Sequence, residues 1–510
     1  MSKLSSSKQL KIGAMLSYLG IGLNIVSALI YSPWMLSKIG SGDYGLYTLA
    51  SSLINMFMLD FGISSAVSRF VSKYRAEGQQ EKINQLLGVV YKLFFVISAT
   101  VGIVLIVIYF FIDEIYLSLT AEELEKFKIV YIIAATYSVV SFPLSATVNG
   151  VLNSYEKFIQ VKLSDVIHKV ITVVLIVVAL LLDYGLYALV AITAAVNLAF
   201  LLIKYLLIKT STPVKVNIKY WDKALLKEIF GFSVWVLINS ICSRLIMNIC
   251  PNILGITAGT LAITVFGFAS TIEGYSYTFS SAIDGMFMPK IARIAYKEGS
   301  TKDVLPLMTK VGRFQYHLVG LIVVGFSIVG KDFITLWIGS EYISVYYCAV
   351  LLLLPAPFYL SQQIGKNTMV MVNKVKYLTF VNIVKALVNV VLASVLSVYW
   401  GAIGACASIC IAYFVRNFAN MYLYKKKLEL DIIEFCKNCY LKMSIPMAMT
   451  LALGFILQKL ITANSWVILA VKIVLIIAVY LLLMWIFAYN SEEKQLIKNV
   501  FGKFCPIKRR

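Results

Sequence analysis

GDYGLYTLASSLINMFMLDFGISSAVSRFVSKYRAEG, residues 42–78, decides how this chain is read. An apolar helix begins after a glycine, turns polar at Ser64 and Ser65, and ends in Arg69, Lys73 and Arg75 before Glu77 and Gly78. The pattern returns in weaker form at residues 259–299, which finish in Lys290, Arg293, Lys297, Glu298 and Gly299. A repeated set of apolar helices closed at one end by basic loops is the design of a carrier whose halves rock around a central site.

The surroundings of that stretch are those of a bilayer protein. Hydrophobic residues make up 60% of the chain and charged residues only 14%, against about 25% charged in soluble proteins, and mean hydropathy is +0.84. Apolar runs of about 20 residues fall near 12–32, 44–67, 85–111, 129–152, 163–182, 185–208, 231–252, 260–285, 314–337, 345–364, 377–399, 401–424, 443–461 and 465–489. The expectation is an all-α polytopic membrane protein of about fourteen transmembrane helices, with Pro355 and Pro357 interrupting the tenth.

The net charge of +21 is not a nucleic-acid signature, because the cations alternate from loop to loop. Lys3, Lys8 and Lys11, then Arg69 to Lys82, Lys157 and Lys162, Lys204 to Lys227, Lys290 to Arg313, Lys366, Lys374 and Lys376, Lys425 to Lys442, and Lys508 to Arg510 occupy every second loop. The positive-inside rule then predicts both termini in the cytoplasm and an even number of spans. Residues 1–11 are polar and basic and no small-residue cleavage site follows, so the first span is expected to be retained.

Asp43-Tyr44-Gly45-Leu46-Tyr47 recurs as Asp183-Tyr184-Gly185-Leu186-Tyr187. Gly185-Leu-Tyr-Ala aligns with Gly401-Ala-Ile-Gly, and Pro33 with Pro251, at a shared offset of roughly 216 to 221 residues, as expected of an internal repeat. The expected division is a six-helix lobe over 1–220, a second pseudo-symmetric six-helix lobe over 221–427, and a region over 428–510 with an amphipathic linker, two extra helices and a basic tail. Residues 221–230 and 430–440 carry apolar residues at helical spacing, the pattern of interfacial helices.

A charge deep in a span costs about 2.5 to 3.5 kcal/mol and is a functional candidate by default. Arg244 lies about 20 Å into its span, in a stripe of Ser240, Arg244, Asn248 and Asn252 at helical spacing. The next span carries Glu273, Tyr277 and Asp284; the first two spans carry Asn24, Asn55 and Asp60. Lys385 is a second cavity cation, while Lys92, Arg416 and His168 lie nearer the inner surface, where long stems snorkel. The substrate-binding expectation is therefore Arg244, Lys385, Asn248, Asn252, Tyr277, Asn24 and Asn55. Glu273, Asp60 and Asp284 are coupling or ion-pair candidates, and a structural Arg244–Glu273 pair is the competing reading for that arginine.

Catalytic signatures are absent. The two histidines form no metal pair, and there is no phosphate-cradling loop or nucleophile elbow. Cys436 and Cys439 have redox or zinc spacing but no second pair or neighbouring His. No metal, cofactor or enzymatic activity is expected.

GDYGLYTL at 42–49, LDFGISSAVSRFVSKYRAEG at 59–78 and the glycine-rich start at 400–404 resemble the Wzx-type polysaccharide flippases of the MOP superfamily. The resemblance implies a MATE-like fold with a cationic central cavity. It implies a flippase that moves undecaprenyl-pyrophosphate-linked oligosaccharide across the bacterial cytoplasmic membrane by alternating access, for cell-surface polysaccharide biosynthesis. Its implied partners are the lipid-linked substrate, membrane lipids, and the polymerase and glycosyltransferases of that pathway, with a monomer expected. The alternatives are a MATE-type drug exporter, whose first span is expected to carry a carboxylate absent from 12–32, and a lipid II flippase, whose first span is expected to carry arginines, also absent there.

Overall fold

The computed structural model describes residues 6–58, 63–284, 287, 290–291, 293–294 and 301–495. These residues are helical, joined by short connections, and each of the fourteen apolar runs coincides with helix over its described residues. Among the described residues nine helices are long and apolar enough to cross a bilayer, or ten with the bent pair over residues 344–371. Their outer faces carry large apolar side chains such as Ile103, Phe110, Val391, Val398 and Val474, a surface suited to lipid tails rather than water.

Two helices are too long for one crossing. Ser6–Phe57 has 52 residues and Val375–Leu428 has 54, roughly 80 Å each at 1.5 Å per residue, against a hydrocarbon core of about 30 Å. Each is two helices end to end. Gly40 (φ 81°) breaks the first and Gly401 (φ 53°) the second, conformations open to a residue without Cβ. The tenth expected span is also broken, into Ser344–Leu353, Ala356–Leu360 and Gln363–Met371, with a 54° bend beyond Leu360.

The repeat is visible in the backbone. Left-handed residues recur at the sequence offset of roughly 216 to 221 residues: Gly40 with Gly259, Glu156 with Asn373, and Gly185 with Gly401. The Glu156 and Asn373 turns are closed alike. Lys157 N–H donates to Leu152 C=O and Glu156 N–H to Asn153 C=O; Lys374 N–H donates to Met369 C=O and Asn373 N–H to Val370 C=O. Both are the 6→1 and 5→2 bonds that end a helix in a left-handed residue. Gly78 (φ 70°) closes Ile63–Ala76 in the same way, which explains the glycine that ends the opening motif. Lys297, Glu298 and Gly299 of the second copy lie outside the described residues.

The chain divides into two compact units, residues 1–267 with 386–408, and residues 268–385 with 409–510. The first unit has an apolar core around Val67, Phe70, Leu86, Leu87, Phe94 and Leu152. The junction after Gly185–Ser211 lies against Gln80–Phe110: Asn217 N–H donates to Asn84 C=O, and a Cβ on Gly88 would meet the Asn217 carbonyl. The amphipathic stretch near 221–230 is the start of the continuous helix Lys223–Met247, capped by Asp222, whose carboxylate accepts from the Ala224 and Leu225 N–H groups. Those two bonds hold the Asp222 carboxyl below its ordinary pKa.

The second unit is packed around Met308, Tyr316, Tyr424, Phe435, Tyr440 and Tyr480. Residues 430–440 bury Leu430, Ile432, Phe435 and Tyr440 in this core, while Ile433 and Leu441 stay exposed. The segment is thus a built-in part of the unit with one apolar edge free, and it passes through a π-helical turn, Cys436–Leu441. Two charged clamps fasten the last helices, Lys442–Leu460 and Trp466–Phe487, to Leu305–Trp337. Arg313 makes a bidentate pair with Glu493 at 2.7 and 2.6 Å and also donates to the carbonyls of Asn438 and Ala488. Lys472, 1% exposed, donates to Asp332 at 2.6 Å, to Gln458 and to the Ile461 carbonyl.

Candidate functional site

A group of charged and aromatic side chains within the apolar spans lies in the second unit. Glu273 comes from Gly259–Asp284, Tyr359 from the five-residue helix Ala356–Leu360 that the prolines isolate, and Lys385, Tyr413 and Arg416 from Val375–Leu428. The Tyr359 and Tyr413 rings stack with centroids 4.8 Å apart and 26° between planes. Tyr359 Oη donates to Glu273 Oε1 at 3.2 Å. Lys385 Nζ sits 4.7 Å from the Tyr413 centroid, and the Arg416 guanidinium lies 5.6 and 5.8 Å from the two rings.

Burial gives this arrangement its chemistry. Glu273 is 8% exposed and Lys385 5%. Ring faces carry negative potential, and a desolvated cation over a ring gains about 2 kcal/mol, so the tyrosines place two cations beside one carboxylate in a region of low dielectric. Beside the cluster, Gln362 Nε2 donates to Asn417 at 2.5 Å and to Tyr440, and Gln362 Oε1 is buried with no partner among the described residues.

Arg244 belongs to the first unit. It is half-buried and makes no hydrogen bond or ion pair with a described residue of that unit. It stands one turn before a break at Asn248, between Lys223–Met247 and Ile249–Thr257. The break frees carbonyls, and two asparagines satisfy them. Asn389, fully buried, donates to Leu245 C=O at 3.1 Å and Ile246 C=O at 3.3 Å, while Asn252 donates to Asn248 C=O at 2.7 Å. Asn252 also accepts from Tyr116 Oη at 2.8 Å and donates to Ser52. Its amide is thus committed to holding helices together, which removes it from the front rank of substrate-binding candidates.

The structure groups Glu273 with Lys385 in one cluster. Arg244, Asn248 and Asn252 form a second group in the other unit, where Asn24 and Asn55 are exposed on Ser6–Phe57. Tyr277 is 46% exposed, on the same helix as Glu273. Asp60 lies outside the described residues, as does the side chain of Asp284. Arg416, expected to snorkel, instead lies over the two rings. Lys92 donates to the Tyr220 carbonyl and covers the Trp221 ring, and His168 pairs with Asn197 at 2.6 Å. Sequence reasoning missed Tyr359, Tyr413 and Lys472. Lys472 had a signal, a lone cation well inside the last apolar run; the tyrosines had none among 31 in the chain.

Residues 12–294 match the model of a family described as polysaccharide biosynthesis protein. The chain belongs to that family. It is also 26% identical over 239 residues to an uncharacterized membrane protein of Methanocaldococcus jannaschii, a match covering 43% of this chain and 54% of the relative, so about half of that protein's length. Among solved structures it is similar to a lipid II flippase MurJ in an inward closed conformation (TM-score 0.70, 17% identity, 93% of this chain and 98% of that one). A MATE family multidrug resistance transporter of the MOP superfamily gives 0.65 at 17% identity, with 85% and 99% covered. A MOP superfamily transporter from Pyrococcus furiosus gives 0.55 at 16%, with 83% and 94% covered. The family member is thus an all-helical multi-pass membrane protein whose fold is similar to that of these solved structures.

Proposed function

We propose that this protein flips undecaprenyl-pyrophosphate-linked oligosaccharide across the cytoplasmic membrane by alternating access, for assembly of a surface polysaccharide. In this reading the chain crosses fourteen times, with Ser6–Phe57 and Val375–Leu428 each supplying two crossings, in two pseudo-symmetric six-helix lobes and a C-terminal pair, and both termini are cytoplasmic. The single observation that carries the reading is the placing of two cations, buried Lys385 and half-buried Arg416, against stacked tyrosines beside Glu273 in a protein of the polysaccharide biosynthesis family. A pyrophosphate must shed its water in passage, and a guanidinium or ammonium in low dielectric replaces that hydration. Arg244, whose guanidinium has no partner among the described residues of its own unit, supplies a second such group.

The test is complementation of a deletion strain. Lys385→Met and Arg416→Met are expected to lower export of surface polysaccharide at least tenfold, the worth of one charge-assisted contact, with membrane protein levels unchanged. Wild-type export from both variants would remove this cluster from the substrate path.

A further inference from the structure

In the second unit a polar file runs along one face of the later half of Val375–Leu428. Tyr413, Arg416, Asn417, Asn420, Tyr424 and Lys427 follow one another at helical spacing and so share one side, while Phe418 and Tyr422 are exposed on the other. One end of the file is the cluster described above. The other end is at the surface, where Lys427 Nζ lies 4.4 Å from the Tyr377 ring centroid. Between the ends burial is nearly complete: Asn420 is 6% exposed, Tyr424 0%, and Gln362, which is bonded to Asn417, 2%. Yet Gln362 Oε1, Asn420 Oδ1 and Tyr424 Oη have no hydrogen-bond partner among the described residues. The partnered groups beside them form a chain. Gln362 Nε2 donates to Asn417 Oδ1 at 2.5 Å and to Tyr440 Oη at 3.1 Å, and Tyr440 Oη donates to the Phe358 carbonyl, next to Tyr359 of the cluster, at 3.0 Å.

The repeat shows that the fold does not require this polarity. At the offset that relates Gly185 to Gly401, the counterparts of Asn417, Asn420 and Tyr424 in Gly185–Ser211 are Leu201, Lys204 and Ile208. Two of these are apolar, and Lys204 is bonded to Asp165 and Asn149. A buried polar atom without a partner is costly, and folded proteins offset that cost with bound water wherever the site is polar. Here two such atoms stand on successive turns of one helix and a third on the segment bonded to it. Water fits them better than a metal ion does, because the charged groups flanking the file, Arg416 and Lys427, are both cations. We propose that the second unit holds a file of bound water leading from the surface at Lys427 to Arg416 and the Glu273 cluster. The inference rests on the flippase reading for its purpose and for placing the Lys427 end in the cytoplasm: water drawn through the file replaces the pyrophosphate at Lys385 and Arg416 as it departs.

Hydroxyl radicals generated from water by X-rays oxidise the side chains that touch it, and mass spectrometry reads the product at each residue. The whole protein in lipid nanodiscs carries its own controls: Tyr480 and Tyr131 are as buried as Tyr424, but their hydroxyls are bonded to the carbonyls of His317 and Leu105. Tyr424 is expected to be oxidised about tenfold faster than either. Asn420→Leu puts an apolar side chain in the middle of the file. It is expected to slow Tyr424 oxidation about fivefold, to leave Tyr480 unchanged, and to keep or raise the melting temperature, because an unpartnered amide oxygen is lost. In the deletion strain the same variant should lower surface polysaccharide at unchanged protein abundance. Tyr424 oxidation no faster than that of Tyr480 overturns the file, and this comparison within the native chain stands even where the variant fails to fold. The expected oxidation pattern with normal export from Asn420→Leu keeps the water and overturns its part in transport. Oxidation is read without substrate, so failure of the flippase reading, seen as an unchanged lipid pool on depletion, leaves the result for the file intact.

Discussion

Arg313 in the second unit and Arg244 in the first are both arginines in a membrane protein, and they are used in opposite ways. Arg313 is 4% exposed and commits its guanidinium to Glu493 and to two carbonyls, tying together the ends of neighbouring helices. Arg244 is half-buried, bonded to no described residue of its own unit, and set one turn before a helix break that asparagines keep open. The same contrast holds around them. Unit two is fastened by multidentate ion pairs, Arg313–Glu493 and Lys472–Asp332, whereas Tyr116–Asn252 and Thr264–Ser41 in unit one are uncharged hydrogen bonds. Buried charge that is fully paired belongs to parts that stay together. Charge left open, and contacts left weak, belong to parts that work.

The largest effect should come from the clamps. Lys472→Ala leaves Asp332 buried without its cation, and Arg313→Ala does the same to Glu493; each is expected to cost about 3 to 5 kcal/mol and to deplete the protein from membranes, read by immunoblot and by thermal melting in detergent. Lys472→Met combined with Asp332→Leu should recover most of that loss, since an apolar pair of similar volume replaces a buried ion pair at little cost. Next, Arg244→Ala should abolish export with normal abundance and melting temperature, and Arg244→Lys should retain part of it, because the charge survives and the fork geometry does not. A fall in abundance with Arg244→Ala would make the two arginines alike and break the comparison. Smallest is Tyr116→Phe, which removes one hydrogen bond to Asn252 and should shift stability by about 1 kcal/mol or less; a loss matching that of Arg313→Ala would make this uncharged bond as binding as the ion pairs.

Much of the fold is legible in the sequence because a bilayer imposes a simple rule. Runs of about 20 apolar residues must be helical, and the runs near 85–111, 129–152, 163–182 and 185–208 fall within Gln80–Phe110, Ala121–Ser154, Phe158–Leu181 and Gly185–Ser211 to within a residue or so. The repeat is legible because left-handed turns need particular residues, so Gly185 and Gly401 mark the same bend in both copies. The site is only partly legible. Glu273 and Lys385 stand out because charge in an apolar run is costly. Tyr359 and Tyr413 do not, because a tyrosine in a span is unremarkable until a ring 54 positions away stacks on it. Arg416 reads as a snorkelling residue by depth alone, and only the stacked rings beneath it show where its charge rests.

The central claim is tested most directly by mass spectrometry of lipid extracts from cells depleted of this protein, beside the wild type. The account predicts accumulation of one polyprenyl-pyrophosphate oligosaccharide together with loss of the matching surface glycan. An unchanged lipid pool with new sensitivity to cationic drugs would contradict it and assign the cluster at Glu273, Lys385 and Arg416 to an exporter.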